Sequence, residues 1–231
     1  MYPSDKGKVI PHLPGQFISL KLFLPDLGLN QARQYSISSV PDEQYYRISV
    51  KRENGKQPNT NGMISNYLHD EVKEGDILEL TAPAGNFTLD DEKKMPLVLI
   101  SGGVGVTPLI SMLQSAIENN HEQSITWVHG CRSQEVHAFG DDILELISGK
   151  DNLEQYVFYD QITENDKTKG ILEGPIELKR IPVLKIEKET HFYICGPAGF
   201  IEKQYHDLMG LGVDHKAVFY EEFGPQQLLL N

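Results

Sequence analysis

The sequence has few cysteines, and this shortage excludes two classes of protein. Two cysteines among 231 residues cannot build the disulfide framework of a small secreted domain, and they cannot supply all the thiolate ligands of an iron–sulfur cluster. Cys131 and Cys195 each follow a strand-like segment instead. Such isolated thiols suit a reducing compartment, and we expect the cytoplasm.

Long apolar runs are also absent. The longest mainly apolar segment, residues 97–113, is interrupted by Gly102, Gly103, Gly105 and Pro108. A bilayer-spanning helix needs about 20 consecutive apolar residues, so we expect no transmembrane segment and no membrane partner. The N-terminal residues lack the apolar centre of a signal peptide.

Positive charge is scarce, since 21 Lys and Arg stand against 33 Asp and Glu, for a formal net charge of -12. Duplex nucleic acid is bound by clustered cations, so we expect no nucleic-acid partner. The 39% hydrophobic and 23% charged contents are typical of a globular protein. At 231 residues the chain is long enough for two domains of ordinary size.

The residue pattern changes near residue 90. Before it, segments 17–22, 47–51 and 76–80 alternate between apolar and polar residues, and turn residues separate them. This pattern predicts a small antiparallel β-barrel with one short helix over 62–69.

Beyond residue 94, strand-like and helix-like segments alternate, which predicts a doubly wound parallel α/β sheet. The charged segment 90–94 separates the two patterns. We therefore predict an N-terminal β domain over 1–93 and a C-terminal α/β domain over 94–231.

A glycine-rich turn follows the strand-like segment 97–100. It reads Gly102-Gly103-Val104-Gly105-Val106-Thr107-Pro108, with Thr107 as the expected helix N-cap and Pro108 as the first helical residue. Glycine lets a ligand approach the backbone closely, and the N–H groups at a helix start attract an anion such as a pyrophosphate. A single turn of this kind is weak evidence, because many strand–helix junctions use glycine structurally.

A second turn of the same form is Cys195-Gly196-Pro197, between a strand-like segment and a helix that we expect to end at Gly210. Open α/β sheets bind ligands at the carboxyl ends of their strands, where both turns are expected. Taken alone, Cys195 also fits a buried and inert thiol.

Arg132 and Ser133 follow the next predicted strand, in His129-Gly130-Cys131-Arg132-Ser133. No acidic residue stands there to hold a ribose 2′-hydroxyl, whereas an Arg-Ser pair is able to accept a 2′-phosphate. An ordinary exposed loop explains the pair equally well. If the glycine-rich turn binds a nicotinamide dinucleotide, the sequence leaves the choice between NADH and NADPH open.

The segment Arg33-Gln34-Tyr35-Ser36 places a cation and an aromatic ring on one face of a predicted strand. These side chains are able to bind a phosphate and stack on a ring at the same time. Periodicity alone also fits an edge strand with a solvated arginine.

The motifs in their order resemble the ferredoxin-NADP reductase superfamily. The resemblance is carried by Arg33-Gln34-Tyr35-Ser36, Gly62-Met63-Ile64-Ser65, the glycine-rich turn, Cys195-Gly196-Pro197 and the terminal segment 221–225. More narrowly, segments 46–52, 64–69, 82–87, 136–139 and 222–225 are similar to the reductase part of flavohemoglobins. The likeness covers nearly the whole chain.

The resemblance implies FAD and NAD(P)H as cofactors and assigns residues to both. Arg33 would hold the FAD pyrophosphate, Tyr35 would stack on the isoalloxazine and Ser36 would lie near its N5. The implied cofactor-binding set is Phe17, Arg33, Gln34, Tyr35, Ser36, Gly62, Met63, Ile64, Ser65, Gly103, Val104, Gly105, Val106, Thr107, Pro108, Arg132, Ser133, Cys195, Gly196, Pro197, Phe223, Gly224, Pro225 and Gln226.

Three assignments concern the reaction itself. The resemblance implies Ser36, Cys195 and Glu221 as catalytic residues, with Cys195 beside the nicotinamide and Glu221 and Phe223 closing the flavin face. Phe17 stands where the family often has Tyr, so a phenolic hydrogen bond to the flavin is lost there. No metal site is expected.

The implied function is an FAD-dependent NAD(P)H oxidoreductase that passes a hydride to FAD and then single electrons to a haem, as in flavohemoglobin-type nitric oxide dioxygenases. The expected partners are the nicotinamide cofactor and a haem-globin domain or another one-electron acceptor. Haem is expected only in a globin domain, which this sequence does not contain. The family also has a strand before the region matching 2–5, so the barrel is expected to lack its first strand.

Two other functions fit the same motifs. One is a free-standing ferredoxin or flavin reductase, and the other is a truncated, non-catalytic module.

Overall fold

In a computed structural model, the described residues are 1–25, 28–42, 44–55, 61–89, 95–119, 122, 124–181 and 189–223. The first part of the chain forms an antiparallel sheet with one helix. Its elements are β1 (Phe17–Leu24), β2 (Leu29–Ser36), α1 (Met63–Asp70) and β3 (Glu79–Leu80). The antiparallel β class predicted for this part is confirmed.

Strand β1 lies in the centre of this sheet, antiparallel to β2 on one side and β3 on the other. Its alternating pattern buries Ile18, Leu20, Leu22 and Leu24 on one face. Ile64 of α1 packs against three of these side chains, and the ring of Tyr35 joins the same cluster. The apolar face of β1 therefore brings the end of β2 and the start of α1 together.

Two predicted strands are shorter than their patterns indicated. In the segment 47–51 only Ile48 forms a bridge, to Ile37, next to a hydrogen bond of 2.8 Å from the Ser38 N–H to the Arg47 carbonyl. Serine side chains bond the same backbone, since Ser38 Oγ donates to the Arg47 carbonyl and Ser39 Oγ accepts the Arg47 N–H. The segment 76–80 is reduced to β3. Asp76 accepts the N–H of Lys73 at 2.8 Å, so the preceding turn uses the first residues of that pattern.

The second part of the chain is the parallel α/β sheet that its alternation predicted. The strands lie in the order β7-β6-β5-β4-β8-β9. They are β4 (Leu97–Gly102), β5 (Ile125–Cys131), β6 (Leu153–Tyr159), β7 (Leu172–Glu173), β8 (His191–Gly196) and β9 (Val218–Glu222). The helices are α2 (Val106–Glu118), α3 (Gly140–Ile147), α4 (Glu164–Thr168) and α5 (Ala198–Gly210).

Both faces of this sheet are covered. Leu99 and Trp127 lie in a cluster with residues of α2 and α3, whereas Ile100 and Phe158 lie in a cluster with residues of α5. The chain moves outward from β4 through β5 and β6, then returns to β8 on the other side of β4. The carboxyl ends of β4 and β8 therefore border the crevice at which the strand order reverses.

Helix α5 ends at Gly210, as predicted, and Gly210 is its last helical residue. Leu211 is the C-cap, and the left-handed residue that follows the helix is Gly212, with φ +86°. The N–H groups of Gly212 and Val213 donate to the carbonyls of Met209 and Leu208, which closes the helix end.

The two parts of the chain share an apolar contact. Phe87 and Leu89 belong to the same core cluster as Met112 and Tyr193, and the rings of Phe87 and Tyr193 lie 5.8 Å apart. A hydrogen bond of 2.6 Å from Ser111 Oγ to the Ser39 carbonyl adds a polar contact.

The predicted boundary at residue 93 lies outside the described residues, so the division into 1–93 and 94–231 stays a prediction. Within the part of the chain that the structure describes, none of the helices combines the length and apolar character needed to cross a membrane.

Candidate active site

The glycine-rich turn leaves β4 through a 3-10 turn over Gly103–Gly105 that continues into α2. Gly103 has φ +54° and no atom within 4 Å of the place where a Cβ would stand. Neither the 3-10 turn nor α2 has a side-chain cap or an acidic residue in its first turn. Uncapped N–H groups next to open space are the features of an anion site.

The helix start differs from the prediction in detail. Gly105 is the N-cap of α2, and Thr107 lies inside the helix with its Oγ1 donating to the Val104 carbonyl at 3.1 Å. Thr107 is therefore not the N-cap, and Pro108 is not the first helical residue. The side chains of Val106, Thr107 and Pro108 are buried, so any ligand contact there falls to the backbone and to Gly103 and Val104.

Gly105 is a glycine because the second turn packs directly against it. A Cβ at this position would lie 2.1 Å from the carbonyl oxygen of Cys195 and 2.7 Å from the nitrogen of Gly196. The absence of a side chain at Gly105 therefore lets the Cys195–Gly196 peptide pack closely against it. The two predicted turns meet in the structure.

Cys195 and Glu221 lie side by side in this meeting place, paired in register between β8 and β9. The Cys195 side chain is fully buried, and burial raises its thiol pKa well above the usual range, with a further contribution from Glu221. Burial raises the pKa of Glu221 to about 7, and its buried Oε2 has no hydrogen-bond partner among the described residues. The site thus holds a neutral thiol and a carboxyl group that titrates near neutral pH.

Two phenylalanines border the second turn. The N–H of Phe223 donates to the Gly196 carbonyl at 2.9 Å, and its ring packs against the core cluster that contains Cys195. The ring of Phe200 covers Gly102 and Gly196, since a Cβ on these glycines would lie 2.9 Å and 2.7 Å from its atoms. Pro197 is exposed at the N-cap of α5.

The strand ends of the β domain carry the predicted flavin residues. Phe17 pairs with Ser36 and Ile18 pairs with Tyr35 across β1 and β2. Ser36 is 5% exposed, and its Oγ has no hydrogen-bond partner among the described atoms. A Cβ at Gly85 would lie 3.0 Å from the Phe17 ring, so the chain at Gly85 lies close to that ring.

Arg33 is exposed on the face of β2 that also carries Tyr35. Within the described part of the chain its Nη1 donates to local groups only, the Ala32 carbonyl at 2.7 Å and Gln31 Oε1 at 3.3 Å. Burial raises the pKa of Tyr35, so this phenol stays neutral. Gln34 is also exposed.

Helix α1 begins beside these residues with an open N-terminus. Gly62 is its N-cap, no side chain caps it, and its first turn holds no acidic residue. The Ser65 hydroxyl is used internally, since it donates to the Gly62 carbonyl at 3.0 Å and accepts the Glu53 N–H. Met63 is half exposed and Ile64 is buried, so an anion would meet the helix backbone.

The loop after β5 contains an acidic residue that sequence reasoning missed. Ser133 Oγ donates to the Glu135 carboxylate, and this hydrogen bond lowers the carboxylate pKa. Arg132 and Glu135 are both exposed. An acid two residues beyond an Arg-Ser pair at a predicted turn was the signal available in the sequence.

A histidine pair next to this loop was also missed. The rings of His129 and His137 stack with centroids 4.5 Å apart. His129 Nδ1 is hydrogen-bonded to Ser101 Oγ at 2.7 Å, and His137 Nδ1 to the Tyr159 hydroxyl at 2.8 Å. Burial lowers the pKa of His129 to about 3, so its ring is neutral. The pair ties β4, β5 and β6 to the loop at the carboxyl edge of the sheet.

Three predicted residues, Gly224, Pro225 and Gln226, lie outside the described residues. The remaining predicted residues fall into three groups, of which the first lies on β1, β2 and the open start of α1, and the second lies at the meeting turns of β4 and β8 with the end of β9. The third is Arg132 and Ser133, on the loop after β5. An exposed arginine and an uncapped helix start in the first group fit a flavin nucleotide, and the open Gly103 turn fits a second dinucleotide.

Comparison with known families supports this arrangement. Residues 4–89 match the oxidoreductase FAD-binding domain, and residues 99–206 match the oxidoreductase NAD-binding domain. The sequence is 40% identical over 225 residues to a flavohemoprotein of Bacillus cereus, covering 96% of this chain and 56% of that protein. A flavohemoprotein of Rhizobium meliloti is also 40% identical, with 55% of its length covered. The chain thus spans little more than half the length of these relatives.

Solved structures agree with the sequence relatives. The flavohem-like FAD/NAD-binding domain of nitric oxide dioxygenase from Vibrio cholerae is 38% identical with a TM-score of 0.89, over 97% of this chain and 90% of that one. The flavohemoglobin of Malassezia yamatoensis with bound FAD and heme is 25% identical with a TM-score of 0.79, over 96% and 55%. This chain therefore belongs to the family of FAD- and NAD-binding oxidoreductase domains that form the reductase part of flavohemoproteins.

Proposed function

We propose that this protein moves reducing equivalents from NADH through FAD to a haem iron, as the reductase part of a flavohemoprotein-type nitric oxide dioxygenase. When bound, FAD accepts two electrons as a hydride and releases them singly, which a one-electron acceptor such as haem requires. The protein's task is to hold the two dinucleotides in register and to keep water away from the reacting atoms.

The observation that carries the proposal is the contact between the two turns at the β4/β8 crevice. Gly105 rests on the Cys195–Gly196 peptide, and Cys195 in turn lies next to Glu221. One edge of the sheet therefore holds the open turn at Gly103, the buried thiol of Cys195 and the carboxyl of Glu221, whose pKa is raised. Rigid elements position reacting groups better than loops do.

Three side chains of this chain are proposed to act next to the reacting atoms. The unpartnered Ser36 Oγ is available to bond the flavin. Cys195 supplies a neutral, polarizable wall for the nicotinamide. Glu221 is able to hold or release a proton near neutral pH.

We further propose that NADH is the preferred donor. The Glu135 carboxylate, oriented by Ser133, is suited to accept a hydrogen bond from a ribose 2′-hydroxyl and repels a 2′-phosphate. Arg132 lies in the same loop as Glu135. Asp160 follows the end of β6 and lies next to the start of this loop, because its N–H donates to the Cys131 carbonyl at 3.1 Å.

This preference is tested by the ratio of kcat/KM for NADH to that for NADPH. We expect the ratio to exceed one in the wild type and to fall about tenfold in Glu135→Gln, which removes a hydrogen-bonded charge. Glu164→Gln, at the exposed start of α4, is the matched control. A ratio below one in the wild type, or an unchanged ratio in Glu135→Gln, would contradict the proposal.

The overall function is tested by reconstitution. Purified protein mixed with FAD should retain flavin on gel filtration, and with NADH it should reduce a ferric flavohemoprotein globin domain supplied separately. A flavin-loaded protein that reduces ferricyanide but not the globin would favour a free-standing ferredoxin or flavin reductase. A protein that takes up no flavin would be a non-catalytic module. We place the reaction in the cytoplasm, where the free thiols of Cys131 and Cys195 stay reduced.

A further inference from the structure

Arg47 belongs to the β domain, but its guanidinium reaches the α/β domain. Nε donates to Ser38 Oγ at 3.3 Å and Nη2 donates to the Ser38 carbonyl, which anchors the planar group. Nη2 also donates to Gln114 Oε1 on α2 at 3.4 Å. The guanidinium carbon lies 5.3 Å from the ring centroid of Phe139.

The contact with Phe139 is made without a carboxylate. Among the described residues, the polar partners of the Arg47 guanidinium are the Ser38 hydroxyl, the Ser38 carbonyl and the Gln114 amide. The chain is rich in acidic residues, with a net charge of -12, yet the described structure places this cation against an aromatic ring and not against a carboxylate. A bidentate guanidinium also fixes the geometry more tightly than an ammonium group would.

Phe139 itself has a strained backbone. Its φ of 62° and ψ of 14° are left-handed, and among the described non-glycine residues only Lys6 shares a positive φ. Such a conformation costs free energy and persists only where the surroundings enforce it. Here the Phe139 carbonyl accepts the Ile143 N–H at 2.9 Å to start α3, while the ring packs against the core cluster under α2.

Phe139 ends the segment 132–139, which we call the nucleotide loop. The loop begins at the end of β5 and carries Arg132, Ser133 and Glu135. Within the α/β domain it is held by the stack of His137 on His129. Arg47 reaches the far end of the loop from the other domain.

We propose that Arg47 is a positioning residue that clasps Phe139 and thereby fixes the nucleotide loop relative to the β domain. The inference rests on the proposed function, because it matters only if each domain holds one of two dinucleotides that must meet. Small displacements of reacting groups lower rates steeply even when the displaced contact is far from the chemistry. The clasp therefore acts on the rate of flavin reduction, not on the affinity for FAD.

The test is anaerobic stopped-flow reduction of FAD-loaded protein over a range of NADH concentrations. We expect Arg47→Met and Phe139→Leu each to lower the limiting rate about tenfold, with flavin content unchanged and half-saturating NADH changed less than about twofold. The double variant should be no slower than either single variant, because both remove the same contact. Arg47→Lys, which keeps a cation but loses the fork to Ser38, should lie between.

Arg180→Met is the matched control. Its guanidinium carbon lies 5.5 Å from the Phe158 ring centroid and its Nη1 donates to the Glu173 carbonyl at 2.6 Å, all within the α/β domain. Loss of an arginine–phenylalanine contact that does not cross domains should leave the limiting rate unchanged.

A second readout needs no cofactor. In the ligand-free protein, amide hydrogen exchange in the nucleotide loop should rise about tenfold in Arg47→Met and stay at the wild-type level in Arg180→Met. Wild-type flavin reduction and exchange in Arg47→Met, or rate losses that multiply in the double variant, would overturn the proposal. If the wild type binds no FAD, the proposed function fails, and the exchange experiment alone decides whether the clasp exists.

Discussion

The charge of Glu221 near neutral pH depends on its burial in the folded protein. Burial raises its pKa from 4.5 to about 7, and it stands in register with the buried thiol of Cys195. Below pH 4.5 the group is protonated in both folded and unfolded chains. Between pH 4.5 and 7 the unfolded chain loses the proton and the folded chain keeps it, so stability falls as pH rises.

Glu221→Gln should remove this pH dependence, because glutamine resembles the protonated acid. We expect the variant to gain stability over the wild type as pH rises from 4.5 to 7, reaching roughly 3 kcal/mol above pH 7. Urea unfolding at pH 5 and pH 8 measures the difference. Glu71→Gln removes one exposed carboxyl as a control, and an equal gain in both variants would show that burial of Glu221 is not the cause.

We propose that FAD binding depends more on Arg33 than on any other side chain of the flavin half of the site. Arg33→Met should weaken FAD binding about tenfold to a hundredfold, since a charge-assisted phosphate contact contributes roughly 1.5–3 kcal/mol. Lys21→Met is the control, because that cation lies in the same sheet but pairs with Glu79 at 3.1 Å. Equal losses of FAD affinity, measured by fluorescence titration, would remove the assigned role from Arg33.

At the scale of elements, Gly103 and Gly105 have different roles in the junction between β4 and α2. Gly105→Ala places a Cβ against the Cys195 peptide, so we expect a loss of about 3 kcal/mol in the free energy of unfolding from overpacking. Gly103→Ala faces open space and should cost only about 1 kcal/mol for its left-handed backbone. It should instead raise the NADH concentration needed for half-maximal flavin reduction. Similar stability losses in the two variants would contradict the separation of tasks.

The main elements of the α/β domain were largely predictable, because β4, β5 and β8 are buried apolar runs that are each followed by a turn and a periodic helix. The β domain was less so. The strand pairing that the pattern of 47–51 predicted is limited to one bridge, beside which Ser38 Oγ donates to the Arg47 carbonyl and Ser39 Oγ accepts the Arg47 N–H. Such side-chain competition for the backbone leaves no trace in the apolar alternation.

At the scale of the whole molecule, the neutral histidine pair should make the fold sensitive to acid. Burial lowers the pKa of His129 to about 3, whereas the unfolded chain takes up that proton below pH 6.5. Stability should therefore fall as pH drops, by roughly 2 kcal/mol at pH 5. His129→Gln should reduce the loss and exposed His206→Gln should not, as measured by urea unfolding at pH 7 and pH 5.

The candidate site was predictable where it depends on consecutive residues. Arg33 to Ser36, Gly103 to Gly105 and Cys195 to Pro197 were read from their motifs. Glu135 and Arg47 were not, because their roles depend on a loop that folds back and on a contact between residues 47 and 139. Long-range pairings of this kind are set by tertiary packing and are not visible in one sequence.

The central claim is that this chain brings NADH to its own bound FAD. Stopped-flow mixing of FAD-loaded protein with NADH under anaerobic conditions tests it directly. We predict loss of the visible flavin absorbance in a phase that saturates with NADH, slowed about tenfold, or about 1.4 kcal/mol of barrier, in Cys195→Ala with flavin retained. A wild-type protein that keeps its oxidised flavin spectrum in excess NADH, or a Cys195→Ala variant reduced at the wild-type rate, would contradict the account.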